Sequence, residues 1–276
     1  MIKDLVVHLM AGRDRQPAAD YAISVADAFG AHAIGVAIAF EPVIPATITG
    51  TVPVDLIEAQ RVENRRAAQD AIDRFEAASQ RAGISAETRL LDGTLSGSAD
   101  TFARLTRRFD LAVVGQAERG KAAAEDLVIE GALFGSGRPV LVVPYIQKDG
   151  MKLDRVVVCW DGGRPAARAI GDSLPFLGRA KKVDVVIVAS EPGKGDEMTG
   201  ANIGRHLARH GIDVEIKRIA TREIDVASAI LSHAADVSAD LLVMGGYGHS
   251  RLREFILGGV TSTVLKAMTV PALMSH

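Results

Sequence analysis

The sequence is poor in cysteine, in aromatic residues and in net charge, and each shortage excludes a class of protein. Cys159 is the only cysteine among 276 residues, so no disulfide can form within the chain and a reducing cytoplasm is the expected setting. Aromatic residues make up 4% of the chain, too few for a surface on which nucleic-acid bases stack. The formal net charge of −2 gives neither nucleic acid nor an anionic membrane a bulk attraction.

Long apolar runs are also missing, so no segment is expected to cross a bilayer. The first residues lead directly into a strand-like run that contains charges, unlike a signal peptide. Hydrophobic residues make up 48% of the chain and charged residues 24%, as in ordinary globular proteins. We therefore expect a cytoplasmic protein that binds no membrane and is long enough for two domains.

Short apolar runs alternate with amphipathic stretches along the whole chain, a pattern typical of βα units around a parallel sheet. The fold class predicted is α/β, with two tandem domains that each form an open five-stranded, mostly parallel sheet with flanking helices. Strands are predicted at 5–9, 33–40, 87–91, 111–114 and 140–143, and again at 156–160, 183–189, 214–219, 241–244 and 272–274.

The two halves repeat one another at three places in the same order, which indicates a duplicated domain. The segments 16–19, 110–115 and 138–144 resemble 164–167, 240–245 and 270–274 in sequence. The polar stretch 147–150 then separates domains at 1–146 and 152–276.

A glycine-rich segment follows the fourth strand of the second half and precedes a predicted helix. Gly245, Gly248 and Gly258 are spaced as G-x2-G-x9-G, and Gly259 follows directly. Glycines allow positive φ and a close approach to a ligand, and a helix start offers unpaired N–H groups to an anion. This segment therefore predicts a site for a phosphate-bearing small molecule.

With this motif and the repeat, the chain resembles the universal stress protein family in its tandem two-domain form. The resemblance implies a Rossmann-like fold of the adenine nucleotide alpha hydrolase type, ATP with Mg²⁺ as the ligand, and a stress-response or regulatory role without dedicated catalysis. It also implies an internal pseudo-dimer formed through the last strands of the two domains, and a possible homodimer.

The resemblance assigns roles to individual residues of the second half. Asp161 matches an acidic residue that contacts adenosine, Val188 and Ala189 match backbone beside adenine, and Met244 and Gly245 match the ribose side. The phosphate cradle is matched by Gly248, Gly258, Gly259, Val260 and Thr261, and Arg251 within the loop can pair with phosphate oxygens.

The chain departs from the family pattern at Gly259, where ATP-binding members carry serine or threonine. Losing that hydroxyl removes a hydrogen bond worth about 0.5–1.5 kcal/mol, for which Thr261 offers a substitute. The first half lacks the motif, has Met10 where Asp161 stands, and is predicted to have a shortened helix over 131–137. We interpret the first domain as degenerate for nucleotide binding.

Other functions remain open on the sequence alone. A scaffold or carrier of an apolar small molecule would use the first domain and the apolar, proline-rich loop at 41–53. A slow ATP-consuming enzyme would depend on Asp161, although no catalytic residue or metal site can be named. A P-loop is excluded at 115–122, because Ala122 stands where that motif needs serine or threonine.

Overall fold

The computed structural model describes residues 1–42, 53–118, 123–189, 197–220, 225–246 and 259–276. Its contacts divide the chain into a first unit, Met1–Arg138, and a second unit, Pro139–His276. In this part of the chain no helix is long and apolar enough to span a membrane.

The first unit is a parallel sheet with helices between its strands. Its strands lie in the order β3-β2-β1-β4, and each neighbouring pair is parallel. The elements are β1 Asp4–Leu9, α1 Pro17–Phe29, β2 His32–Phe40, α2 Val54–Ala82, β3 Ala86–Gly93, α3 Leu95–Thr106, β4 Leu111–Gly115 and α4 Ala123–Gly135.

The second unit repeats this arrangement and has further strands at one edge. Its strands lie in the order β5-β10-β9-β6-β7-β8, parallel except that β5 pairs antiparallel with β10. The elements are β5 Val140–Val143, β6 Arg155–Cys159, α5 Arg164–Leu177, β7 Lys182–Ala189, α6 Glu197–Arg209, β8 Val214–Ala220, α7 Val226–Asp236, β9 Leu241–Gly245, α8 Gly259–Ala267 and β10 Ala272–Ser275.

The central strands are continuous apolar runs because a parallel sheet is covered on both faces. All five residues of β4 are buried, as are the first four residues of β9. Helices α1 and α5 both carry proline in their first turn, where the missing N–H leaves no helical hydrogen bond unmade.

One hydrogen-bonding device occurs in both units and supports the duplication. The Oδ2 of Asp110, just before β4, accepts hydrogen bonds from the backbone N–H groups of Lys3 at 2.8 Å and Asp4 at 3.1 Å. In the second unit the Oδ2 of Asp240, just before β9, accepts from the N–H of Arg155 at 2.9 Å. The carboxylate of Asp110 thus ties the start of β1 to the start of β4, and that of Asp240 ties the start of β6 to the start of β9.

The predicted α/β class with a mostly parallel sheet is confirmed, and all ten predicted strands are present within one or two residues of their predicted ends. The expected shortening of the last helix of the first unit was wrong, because α4 is helical over Ala123–Gly135. The domain ranges 1–146 and 152–276 stay a prediction, while the contacts place β5 with the second unit.

Candidate functional site

The sequence-predicted residues of the second unit lie at one edge of its sheet. Strand β6 lies between β9 and β7, with Val158 opposite Val243 and Cys159 opposite Val186. Asp161, Met244 and Val188 each follow these paired positions by one to three residues. The carboxyl ends of adjacent parallel strands therefore bring them together, at the type of edge where open α/β sheets bind ligands.

Asp161 begins the turn that joins β6 to α5, and it is exposed. Its Oδ1 accepts a hydrogen bond from the backbone N–H of Gly163 at 2.7 Å, and Gly162 between them has φ 76°. The backbone N–H of Trp160 donates to the carbonyl of Val186 at 2.9 Å, which carries the pairing with β7 up to this turn. The Asp161 carboxylate is thus held at the sheet edge, and its Oδ1 stabilises the turn that joins β6 to α5.

The flanking strands present different surfaces at this edge. Val188 is half-buried near the end of β7, whereas Met244 near the end of β9 is only 4% exposed. Ala189 ends β7, and its side chain lies outside the described part of the structure. At Met244 it is therefore the backbone that a ligand would meet.

Gly245 ends β9 where that strand approaches the start of α5. A Cβ at this position would lie 2.6 Å from the backbone N of Ala166 and 2.7 Å from the carbonyl carbon of Pro165. Real Cβ atoms do not come so close to backbone, so a side chain here would push the helix start away from the strand. Gly245 has a packing role in addition to the ligand-facing role that the resemblance assigns.

Gly259, Val260 and Thr261 form the first turn of α8. Gly259 and Val260 are exposed, whereas Thr261 is 4% exposed. A Cβ at Gly259 would have no atom of the described residues within 4 Å, and the first turn of α8 contains no acidic residue. The helix start is therefore electrostatically suited to an anion, and a serine side chain would fit at position 259.

The remaining predicted residues, Gly248, Arg251 and Gly258, lie outside the described residues. The start of their loop is fixed by the last strand of the unit. The backbone N–H of Gly246 donates to the carbonyl of Ser275 at 2.8 Å. A ring nitrogen of His276 lies 3.0 Å from the Gly246 carbonyl oxygen.

A cavity of about 330 Å³ beside this edge adds residues that the sequence reasoning missed. It is lined by Trp160 and by Asn202, Ile203 and His206 of α6. The indole Nε1 of Trp160 is buried and has no hydrogen-bond partner among the described residues. The one sequence signal was that Trp160 is the only tryptophan of the chain, next to Asp161.

Neither a reactive thiol nor a metal cluster accompanies the edge in the described ranges. Desolvation, and secondarily the charge of Asp161, raises the pKa of the Cys159 thiol to about 12, so the thiolate that nucleophilic or metal chemistry needs is absent at neutral pH. The described side chains include no group of three or more His, Cys, Asp or Glu that could hold a metal ion.

The matching edge of the first unit is built differently. Met10 stands where Asp161 stands in the second unit, and its Cε and Sδ fill the space beside Gly115 at 3.0 Å from an added Cβ. Helix α4 begins with Glu125 and Asp126 in its first turn. Carboxylates at a helix start repel a phosphate there, which agrees with a first domain degenerate for nucleotides.

Comparison with known proteins finds a match to one protein family over part of the chain. Residues 152–276 match the model of the Universal stress protein family. A universal stress protein from Synechocystis sp. is 28% identical over 174 residues. That match covers 60% of this chain and 57% of the relative, so the chain spans little more than half of the relative's length.

Two solved structures share the fold over nearly the whole chain. A universal stress protein from Archaeoglobus fulgidus has a TM-score of 0.67 at 18% identity, covering 98% of this chain and 97% of its own. A structure titled as a putative universal stress protein from Pseudomonas aeruginosa has a TM-score of 0.64 at 13% identity, covering 99% and 92%. At these identities the likeness shows the fold alone.

Proposed function

Because residues 152–276 match the model of the Universal stress protein family, we propose that the chain belongs to this family and that its second unit binds ATP with Mg²⁺. The proposed role is regulatory, within a stress response, and without dedicated catalysis. Binding would stabilise one arrangement of the 247–258 loop and α8 and so shift a population of states. We propose a cytoplasmic setting, and assembly through the last strands of the two domains or as a homodimer.

One observation supports this proposal above the others. The second unit gathers an exposed carboxylate at Asp161, backbone at Met244 and Gly245, and a helix start without acidic residues at Gly259, all along the carboxyl edge of β9, β6 and β7. A carboxylate can accept hydrogen bonds from a ribose or base, and a helix start can receive phosphate. At the matching positions the first unit has Met10 in place of Asp161 and acidic residues in the first turn of α4.

The proposal is tested by thermal unfolding of the whole chain with and without MgATP. At a concentration 100 times Kd, ligand adds about 2.7 kcal/mol to the stability of the folded form, so the unfolding temperature should rise. If the proposed site needs a positive φ at Gly248, Gly248→Val should abolish the rise, since a β-branched residue rarely takes positive φ. No rise in the wild type would contradict nucleotide binding.

Asp161 offers a second test with a matched control. Asp161→Asn keeps an oxygen that can accept from the Gly163 N–H but removes the charge, whereas Asp161→Ala removes both. We expect both variants to bind MgATP more weakly than the wild type, with Ala at least as weak as Asn. Turnover of ATP measured on the same proteins separates binding from catalysis, and turnover lost in Asp161→Ala would favour the enzyme alternative.

A further inference from the structure

The first unit contains a cavity of about 440 Å³ at the carboxyl end of β1. Met10, Phe40 and Ala124 contribute apolar wall, and His8, Arg13 and Glu125 contribute polar groups. This size is in the range of small-molecule sites, which combine a mostly apolar lining with a few placed polar atoms. Every lining residue belongs to the first unit.

His8 is the polar group that points to a ligand. The residue is 4% exposed, and its ring lies edge-on against Phe102 with centroids 5.6 Å apart. Its Nε2 is buried without a hydrogen-bond partner among the described residues, although buried polar atoms are nearly always paired. Desolvation lowers the pKa of His8 to about 4, against a smaller opposing effect of Glu125, so the ring is neutral at physiological pH.

Arg13 is paired with two carboxylates. The Nη2 of Arg13 lies 3.0 Å from the Oε1 of Glu125, and its Nη1 bonds Glu118. Glu125 is largely buried in the first turn of α4. An anionic ligand would therefore have to compete with Glu118 and Glu125 for the Arg13 guanidinium.

We propose that this cavity binds an uncharged small molecule with an apolar body and one hydrogen-bonding group, which pairs with the Nε2 of His8. The apolar wall accounts for the body, the unpartnered nitrogen for the polar group, and the existing pairing of Arg13 with carboxylates for the exclusion of anions such as phosphates. The site is independent of nucleotide binding by the second unit.

Phenol is a suitable probe, because its hydroxyl both donates and accepts and so pairs with either tautomer of a neutral imidazole. In long-range ¹H–¹⁵N spectra of the whole chain, His8 is assigned as the ring whose signals are missing from His8→Gln. Phenol should shift the His8 signals saturably at pH 7.5 and leave those of His206 in the second unit unchanged. Absence of a saturable shift at His8 would overturn the proposal.

A charged analogue and a variant pair test the two parts of the recognition. 4-Hydroxybenzoate carries the same phenol with an added carboxylate, and we expect it to bind at least about tenfold more weakly than phenol. His8→Leu should weaken phenol binding about threefold to tenfold, the effect of one lost hydrogen bond, whereas His8→Gln should recover part of the loss. Calorimetry measures the affinities of the wild type for both ligands and of the two variants for phenol.

Equal affinity for phenol and 4-hydroxybenzoate would refute the exclusion of anions, and phenol binding unchanged in His8→Leu would refute the role of Nε2. Should His8→Leu not fold, the wild-type spectra and His8→Gln still decide the matter. Failure here leaves the MgATP shift of the second unit unaffected, so the two proposals can be distinguished.

Discussion

Gly259 is the residue at which a single substitution should tighten ATP binding. Among the described residues no atom lies within 4 Å of an added Cβ, so Gly259→Ser introduces a hydroxyl at the start of α8 without a clash with them. If ATP binds as proposed, we expect affinity to rise about threefold to tenfold, as for one added hydrogen bond. Gly259→Ala is the matched control, and calorimetry should show no comparable gain for it.

His8 should make stability depend on pH. Its folded pKa of about 4 lies below the ordinary histidine pKa of 6.5, so as pH falls the unfolded chain takes up the proton first. The contribution of His8 to the free energy of unfolding is fully present above pH 6.5 and is lost as pH falls towards 4. Between pH 7.5 and 5 the free energy of unfolding of the wild type should fall by about 2 kcal/mol more than that of His8→Gln. Urea unfolding at the two pH values measures this difference. Equal losses in the two proteins would contradict a neutral, buried His8 ring.

At the residue scale, the sequence offered more candidate site residues in the second unit than in the first. Gly259 directly follows the spaced glycine motif and Asp161 was assigned by resemblance to the family, and both stay predictions. His8, Arg13 and Glu125 belong to no motif, and Arg13 and Glu125 are 112 positions apart in the chain. Only the fold brings them together, so their cavity could not be predicted from local pattern.

At the scale of elements, the junction of β9 with α5 should tolerate no side chain at Gly245. An alanine Cβ there meets backbone of α5 at 2.6 Å, and relief requires the helix or strand to shift, at about 1–3 kcal/mol for overpacking. Gly115→Ala is the matched control in the first unit, where the Cβ meets the flexible Met10 side chain at 3.0 Å. Chemical unfolding should show the larger loss for Gly245→Ala.

The elements themselves were largely predictable, and the exception has a packing reason. Strands buried on both faces stand out as apolar runs, so their positions followed directly. A shortened helix was predicted over 131–137, yet Gly131 lies inside α4. An added Cβ at Gly131 would be only 3.0 Å from the carbonyl oxygen of Ala99 in α3, so a glycine is needed at this contact. There, glycine allows two helices to touch, a tertiary requirement that outweighs its low helix propensity.

For the whole molecule, the position of β5 predicts where the second unit can be separated. A fragment of residues 139–276 keeps β5 paired with β10, whereas a fragment of 152–276 loses the four buried residues of β5 and exposes the apolar strand β10. An exposed apolar edge strand invites association with other chains. We expect the shorter fragment to be less stable and more prone to aggregate, as light scattering and thermal unfolding would show; equal behaviour would contradict a structural role for β5.

Because α4 has an acidic first turn, the first unit can serve as an internal control for ligand binding by the second unit. The two units share a strand arrangement, but α8 begins without acidic residues, whereas α4 carries Glu125 and Asp126 in its first turn. In hydrogen exchange with MgATP, slowed exchange in β9 and an unchanged rate in β4 would report the nucleotide. A general effect of ATP on the solution would instead slow hydrogen exchange in both strands. The exchange rate of β4 therefore serves as the control for β9 in every sample.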